Sequence, residues 1–136
     1  MCSIMAMKGR DVTLKEFEKH FSETISRGPD MTRIIDRGDV RLGFHRLSIM
    51  GHGESGMQPF LLGDDCVICN GEIYGFAGIK RELEKKGYTF QSSSDCEVLL
   101  PLWKEYGVKM FGHLDAEFAL VISTHHPGRS LLQEIL

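Results

Sequence analysis

Two helix–strand segments interleaved with hairpins, without the regular strand–helix–strand rhythm of a parallel sheet, predict an α+β fold whose sheets are covered by helices. Two further observations support that class. The chain has 136 residues, 42% apolar and 26% charged, enough for one continuous core, so residues 1–136 are expected to form a single domain. Thr13-x-x-Glu16 and Ser94-x-x-Glu97 each read as a capping box opening an apolar run of helical period.

Residues 2–8 are apolar, short and bounded by Lys8-Gly9-Arg10, as suits a buried N-terminal strand. After Thr13, the apolar residues Leu14, Phe17, Phe21 and Ile25 recur at helical spacing and predict a helix over 13–26. Arg27-Gly28-Pro29-Asp30 ends it, because Pro29 sets a turn. Strands are expected over 31–36 and 40–46, joined at Arg37-Gly38-Asp39, with Val40, Leu42, Phe44 and Arg46 on one face. Residues 51–59 hold Gly51, Gly53, Gly56 and Pro59 but lack the lysine and hydroxyl residue of a phosphate-cradling loop.

Asp65–Cys69 reads as a buried strand ending at Asn70-Gly71. Phe76, Ile79 and Leu83 mark a helix that stops at Gly87, supported by Glu82 and Lys86 four residues apart. A short strand over 88–91 should follow. The second capping box then opens a helix with Val98, Leu99, Leu102 and Tyr106 on its apolar face, and Pro101 should kink it at a cost of up to about 3 kcal/mol. A strand over 118–123 and a turn at His125-His126-Pro127-Gly128 complete the pattern.

The formal net charge of −3 gives no basic field, so neither nucleic acid nor an acidic membrane surface is expected as a partner. No apolar run approaches the roughly 20 residues of a membrane helix, and no long apolar stretch follows a basic start at the N-terminus. The expected location is the cytoplasm, with Cys2, Cys66, Cys69 and Cys96 reduced. Cys66 and Cys69 have metal-like spacing, but three positions along a strand reverse the face and no second cysteine pair follows. They are read as core, and no metal site is expected. His45 falls on the face opposite Arg46.

Candidate chemistry starts at Cys2. Removal of Met1 would place a thiol and a free α-amine on one residue, supplying nucleophile and base together. Arg46 offers a planar fork for a carboxylate, Glu72 and Asp95 can accept from an ammonium, and Asn70 with the Gly71 amide can stabilise an oxyanion. Together these groups suit an α-amino acid. Each also has a plainer reading: Arg46 in a surface ion pair, Asn70-Gly71 as a turn, Asp95 serving the positive end of its helix.

Met1-Cys2-Ser3-Ile4, Arg27-Gly28-Pro29-Asp30, His45-Arg46-Leu47-Ser48-Ile49, Gly56-Met57-Gln58-Pro59, Asn70-Gly71-Glu72-Ile73-Tyr74, Ser94-Asp95-Cys96-Glu97-Val98-Leu99-Leu100 and Leu114-Asp115 with Phe118-Ala119 occur in this order along the chain. With these motifs the sequence resembles the glutaminase domain of asparagine synthetase, a class II glutamine amidotransferase of the N-terminal-nucleophile type. The resemblance implies an αββα sandwich of two mainly antiparallel sheets between helical layers. It further implies that Cys2 attacks the side-chain amide of L-glutamine to give a γ-glutamyl thioester and ammonia. Asn70 and Gly71 would form the oxyanion hole, Arg46 would bind the substrate carboxylate, Glu72 and Asp95 its ammonium, and the Leu47 and Ile49 backbone would line the pocket. No cofactor is implied for glutamine hydrolysis; ATP and Mg²⁺ would belong to a separate synthetase domain or chain that receives the ammonia.

Gly75 stands where the family usually has Asn, and Pro101 is foreign to its helix. After residue 123 the family continues with a further strand, an Arg-Asp-x-x-Gly-x-x-Pro-Leu segment and more sheet, whereas this chain reads Gly128-Arg129-Ser130 and then 131–136. The expectation is therefore a domain incomplete at its C-terminal end, with an unpaired sheet edge unless the last residues supply a substitute strand. A non-catalytic protein that only binds glutamine or a partner is the alternative.

Overall fold

The computed structural model describes residues 2–48, 54–126 and 129–135. β1 (Ser3–Lys8) is followed by α1 (Leu14–Ser22), β2 (Met31–Asp36) and β3 (Val40–Arg46). Then come β4 (Phe60–Leu62), β5 (Asp65–Tyr74), α2 (Phe76–Lys85), α3 (Leu99–Tyr106), β6 (Asp115–His126) and β7 (Arg129–Ile135). The strands form two antiparallel sheets, ordered β1-β3-β2 and β4-β5-β6-β7.

Alternation along each strand builds two cores. Val40, Leu42 and Phe44 of β3 meet Cys66 and Ile68 of β5 and Val121 of β6, with Cys2, Ile4 and Ala6 packed alongside. The opposite residues of the second sheet, Val67, Cys69, Ile73, Leu120 and Ile122, pack on Leu83 of α2 and Leu99 and Leu102 of α3. On the outer side of the first sheet lies α1, with Phe17 and Phe21 fully buried. Gly43 permits this approach, since a Cβ there would stand 2.6 Å from the Phe21 ring. The layers therefore run α1, sheet, sheet, α2 and α3. This is the αββα sandwich expected.

Thr13 caps α1 through its hydroxyl to the Glu16 amide at 3.3 Å, while the Glu16 carboxylate accepts from the Thr13 amide at 2.8 Å. The helix stops at Ser22 rather than 26. The Thr24 amide and hydroxyl both bond the Phe21 carbonyl, a tighter turn that ends the α-helical ladder before a 3₁₀ turn over Ile25–Arg27. The 31–36 and 40–46 strands stand as expected.

β5 does not end at Asn70-Gly71. It continues to Tyr74 because β6 pairs with it from Cys66↔Ser123 to Tyr74↔Asp115, and this long-range ladder overrides the local turn signal. Residues 88–91 form no strand. The Glu97 carboxylate instead accepts from the Gln91 and Ser92 amides and the Ser92 hydroxyl, so Ser94 and Glu97 make no capping box. Lys86 pairs with Glu105, leaving Glu82 to Lys85 at 2.6 Å.

A 3₁₀ turn over Asp95–Val98 precedes α3. Pro101 thus lies in the first turn of α3, where backbone N–H groups lack helical acceptors, and the helix change falls before it rather than as a kink within a continuous α-helix. His125 and His126 close β6, opposite Ser130 and Arg129 of β7; Pro127 and Gly128 of the expected turn lie outside the described residues. The last described residues do pair, as β7 on β6. No helix among the described residues is long and apolar enough to cross a membrane.

Candidate active site

Cys2 precedes β1 and alternates with Ser3, so its side chain joins Ile4 and Ala6 on the face toward the second sheet, while the Ser3 hydroxyl turns to Thr24 at 2.8 Å. The register Ser3↔His45, extended by one residue, sets Cys2 across from Arg46. Its Sγ accepts from the Leu47 amide at 3.4 Å and lies 3.9 Å from the Leu47 carbonyl. Cys2 is the half-buried cysteine; Cys66, Cys69 and Cys96 are buried. Burial pushes the Cys66 thiol above its ordinary range, and contact with Cys69 followed by burial does the same to Cys96. Cys66 faces the intersheet core and Cys69 the helix-side core, so the pair does not converge on a metal.

Arg46 continues the Val40, Leu42, Phe44 face and is buried. Its guanidinium reaches the loop before β4: a Cβ on Gly56, whose φ is +87°, would stand 3.6 Å from Arg46 Nη2 and 3.5 Å from the Ser94 Cβ. Arg46 is therefore brought to the neighbourhood of Asp95, from the other sheet's side of the molecule. His45 faces away as expected, stacked on Phe21 with ring centroids 3.7 Å apart. Its Nε2 meets the Phe21 carbonyl at 2.9 Å and its Nδ1 the Thr32 hydroxyl at 2.7 Å, which occupies both ring nitrogens.

The segment carrying Arg46 and Leu47 is held by residues to which sequence reasoning assigned no role. A Cβ on Gly28 would lie 2.3 Å from the His45 carbonyl oxygen, so only glycine fits there. The Asp30 amide donates to the Arg46 carbonyl at 3.0 Å and the Asp30 carboxylate accepts from the Ser48 amide at 2.6 Å. Arg27 Nε donates to the Cys2 carbonyl at 3.5 Å. The Arg27-Gly28-Pro29-Asp30 motif was visible, but its distant targets, from Cys2 to Ser48, were not.

On β5, Asn70 and Glu72 share the face of Cys66 and Ile68 and so point toward the first sheet. Asn70 is half-buried and Glu72 exposed. Gly71 is pressed against β6: a Cβ would meet the Glu117 carbonyl oxygen at 2.3 Å. Asp95 stands at the start of its 3₁₀ turn, half-buried, with Oδ2 accepting from the Ile73 amide at 2.7 Å. One carboxylate oxygen is thus committed to the β5 backbone. Gln58 was matched as a motif residue but assigned no role; buried at 4% exposure, it bonds the Cys69 amide at 2.6 Å and the Cys69 carbonyl at 3.0 Å. Ile49 lies outside the described residues.

The first sheet therefore presents a thiol, a backbone strand exit and a guanidinium, and the second presents an amide side chain and two carboxylates. That set suits a zwitterionic ligand approached by a sulfur nucleophile.

Residues 1–133 match the family described as "Glutamine amidotransferase domain". A protein of Acanthamoeba polyphaga mimivirus named "Probable asparagine synthetase [glutamine-hydrolyzing]" is 40% identical over 131 residues, which cover 90% of this chain and 23% of that protein. Asparagine synthetase [glutamine-hydrolyzing] 1 of Bacillus subtilis is 41% identical over 100 residues, covering 72% of this chain and 16% of its own length. The chain thus spans less than a quarter of these curated relatives. Among solved structures, the glutamine phosphoribosylpyrophosphate amidotransferase from B. subtilis, complexed with ADP and GMP, superposes with a TM-score of 0.51 at 27% identity, over 64% of this chain and 21% of that one.

Proposed function

This chain belongs to the glutamine amidotransferase domain family, and from that premise we propose that it hydrolyses the side-chain amide of L-glutamine with Cys2 as nucleophile once Met1 is removed. The observation that carries the reading is the Cys2 thiol seated 3.4 Å from the Leu47 amide, beside Arg46. The thiolate adds to the amide carbon, and the oxygen takes up negative charge facing the Asn70 side chain and the Gly71 N–H. The α-amine of Cys2, having taken the thiol proton, passes it to the departing nitrogen, so that collapse expels ammonia and leaves a γ-glutamyl thioester. Water then adds to the thioester, releasing glutamate and restoring the thiol. The net change is glutamine plus water to glutamate plus ammonia.

Substrate is held at its far end. Arg46 takes the α-carboxylate as a bidentate partner, and Glu72 with the uncommitted oxygen of Asp95 takes the α-ammonium. The backbone of Leu47 would line the pocket; Ile49, expected to share that role, lies outside the described residues. No cofactor enters these steps. The relatives named as asparagine synthetases support a synthetase domain or separate chain as the ammonia acceptor, and ATP and Mg²⁺ would belong to that part. A reduced thiol nucleophile suits the cytoplasm.

The test is ammonia release from glutamine by purified protein, with intact mass confirming loss of Met1 and Cys2→Ala as control. Release abolished by Cys2→Ala supports the assignment. No release from a folded, processed chain would overturn it in favour of a non-catalytic protein that only binds glutamine or a partner.

A further inference from the structure

β4 pairs with β5 over three residues, from Leu62↔Asp65 to Phe60↔Val67. Among the described residues no strand neighbours that edge of β5 beyond Val67, while its other edge stays paired with β6 to Tyr74. In an antiparallel strand the N–H and C=O of one residue point to the same side, and the side alternates along the chain. Val67, Cys69, Gly71 and Ile73 therefore all direct their backbone groups to the edge that β4 vacates. Side chains take over there. Gln58, in the register position that would oppose Cys69 if β4 continued, offers its amide in place of a backbone: Oε1 accepts from the Cys69 N–H and Nε2 donates to the Cys69 carbonyl. Two residues past Gly71, the Asp95 carboxylate accepts from Ile73. Gly71 lies between these two clamps, immediately after Asn70.

We infer that Gln58 is a positioning residue for glutamine hydrolysis, substituting for a strand partner so that β5 holds the Asn70 side chain and the Gly71 N–H on the oxyanion while leaving that N–H open. This rests on the glutaminase reading given above. A continuous β4 would pair the Gly71 amide and remove it from catalysis; no clamp at all would let the edge fray. Gln58 satisfies both demands, because a side-chain amide presents one of its N–H groups and its C=O side by side, complementary to the N–H and C=O of a single strand residue, and stops there. At 4% exposure it is shielded from bulk solvent, so losing either bond leaves a buried polar group to be satisfied.

The experiment is Gln58→Met, which keeps the side-chain length and removes both hydrogen bonds. Turnover, normalised to Cys2 titrated by stoichiometric alkylation, should fall at least tenfold with KM changed by less than twofold, since misplacing an oxyanion donor acts on the transition state. The double variant Gln58→Met with Asn70→Ala should lose less than the product of the two single losses, because part of the Gln58 effect runs through Asn70 and the rest through Gly71. A purely structural role would lower the titratable fraction and leave normalised turnover intact, and would overturn the inference. So would losses that multiply in the double variant. Amide hydrogen exchange supplies a readout independent of activity: Cys69 should exchange at least tenfold faster in Gln58→Met, with the amides of Phe17 and Phe21 unchanged. If the parent releases no ammonia, the glutaminase reading fails by itself, and equal Cys69 exchange in parent and variant would then also remove the clamp.

Discussion

At the scale of single residues, the chemistry divides four cysteines into two kinds. Cys2 is half-buried against the Leu47 backbone, whereas Cys66, Cys69 and Cys96 are buried and the thiols of Cys66 and Cys96 are pushed upward in pKa. Because the thiolate is the reactive form, iodoacetamide should modify Cys2 in the folded protein and spare the other three until denaturant is added. Peptide mass mapping reads this directly, and equal labelling of Cys66 in the native state would contradict the burial. Asn70 is the second test at this scale. Replacing it with Ala should cut turnover about a hundred- to a thousand-fold, the usual cost of one oxyanion donor, with unfolding little changed because the side chain is half-buried. Turnover at the parental rate would remove Asn70 from the mechanism.

At the scale of elements, local chemistry and long-range pairing competed, and the outcome depended on which was stronger. The Thr13 capping box formed as written because both partners lie within one turn. The Glu16 carboxyl is held below the usual range, chiefly by the Thr13 amide and then the Thr13 hydroxyl. A depressed folded-state pKa contributes stability that is present above the unfolded carboxylate pKa and lost as pH falls through the folded one. The difference in melting temperature between parent and Glu16→Gln should therefore shrink as pH drops from 7 through the acidic carboxylate range. A constant difference would mean the cap does not act through charge. The Ser94 box, written with the same residue types, did not form, since Glu97 found three donors on the incoming 91–92 segment. Likewise Asn70-Gly71 carries a turn signal but is paired through by β6.

At the scale of the whole molecule, the intersheet core aligns the two walls of the site. Ile68 is fully buried between the sheets, two residues before Asn70 and facing the β3 side chains that lead to Arg46. Ile68→Ala should destabilise the fold by about 2–5 kcal/mol through lost burial and the cavity left behind. Denaturant unfolding measures it, and a loss below about 1 kcal/mol would show that the two sheets do not depend on this contact.

The strands over 31–36 and 40–46, the inward Phe17 and Phe21 of α1, Leu83 of α2 and Leu99 and Leu102 of α3, the opposite facing of Cys66 and Cys69 and the inward direction of Arg46 were legible in the sequence, whereas Leu14 and Ile25, expected on the same face as Phe17, are exposed. Each legible feature follows from a period of 2 or 3.6 in a short window, or from a capping pair three residues apart. Family membership was legible too, because it rests on motifs in linear order. What only the tertiary structure decided is which groups meet across the chain: Gly28 and Asp30 against the end of β3, Gln58 on Cys69, Asp95 on Ile73, Glu97 on residues 91–92, and residues 129–135 as β7. Apart from the close approach of Gly28, in each of these a backbone donor or acceptor left unpaired locally took a partner elsewhere in the chain, since a buried polar group without one costs more than a local preference is worth.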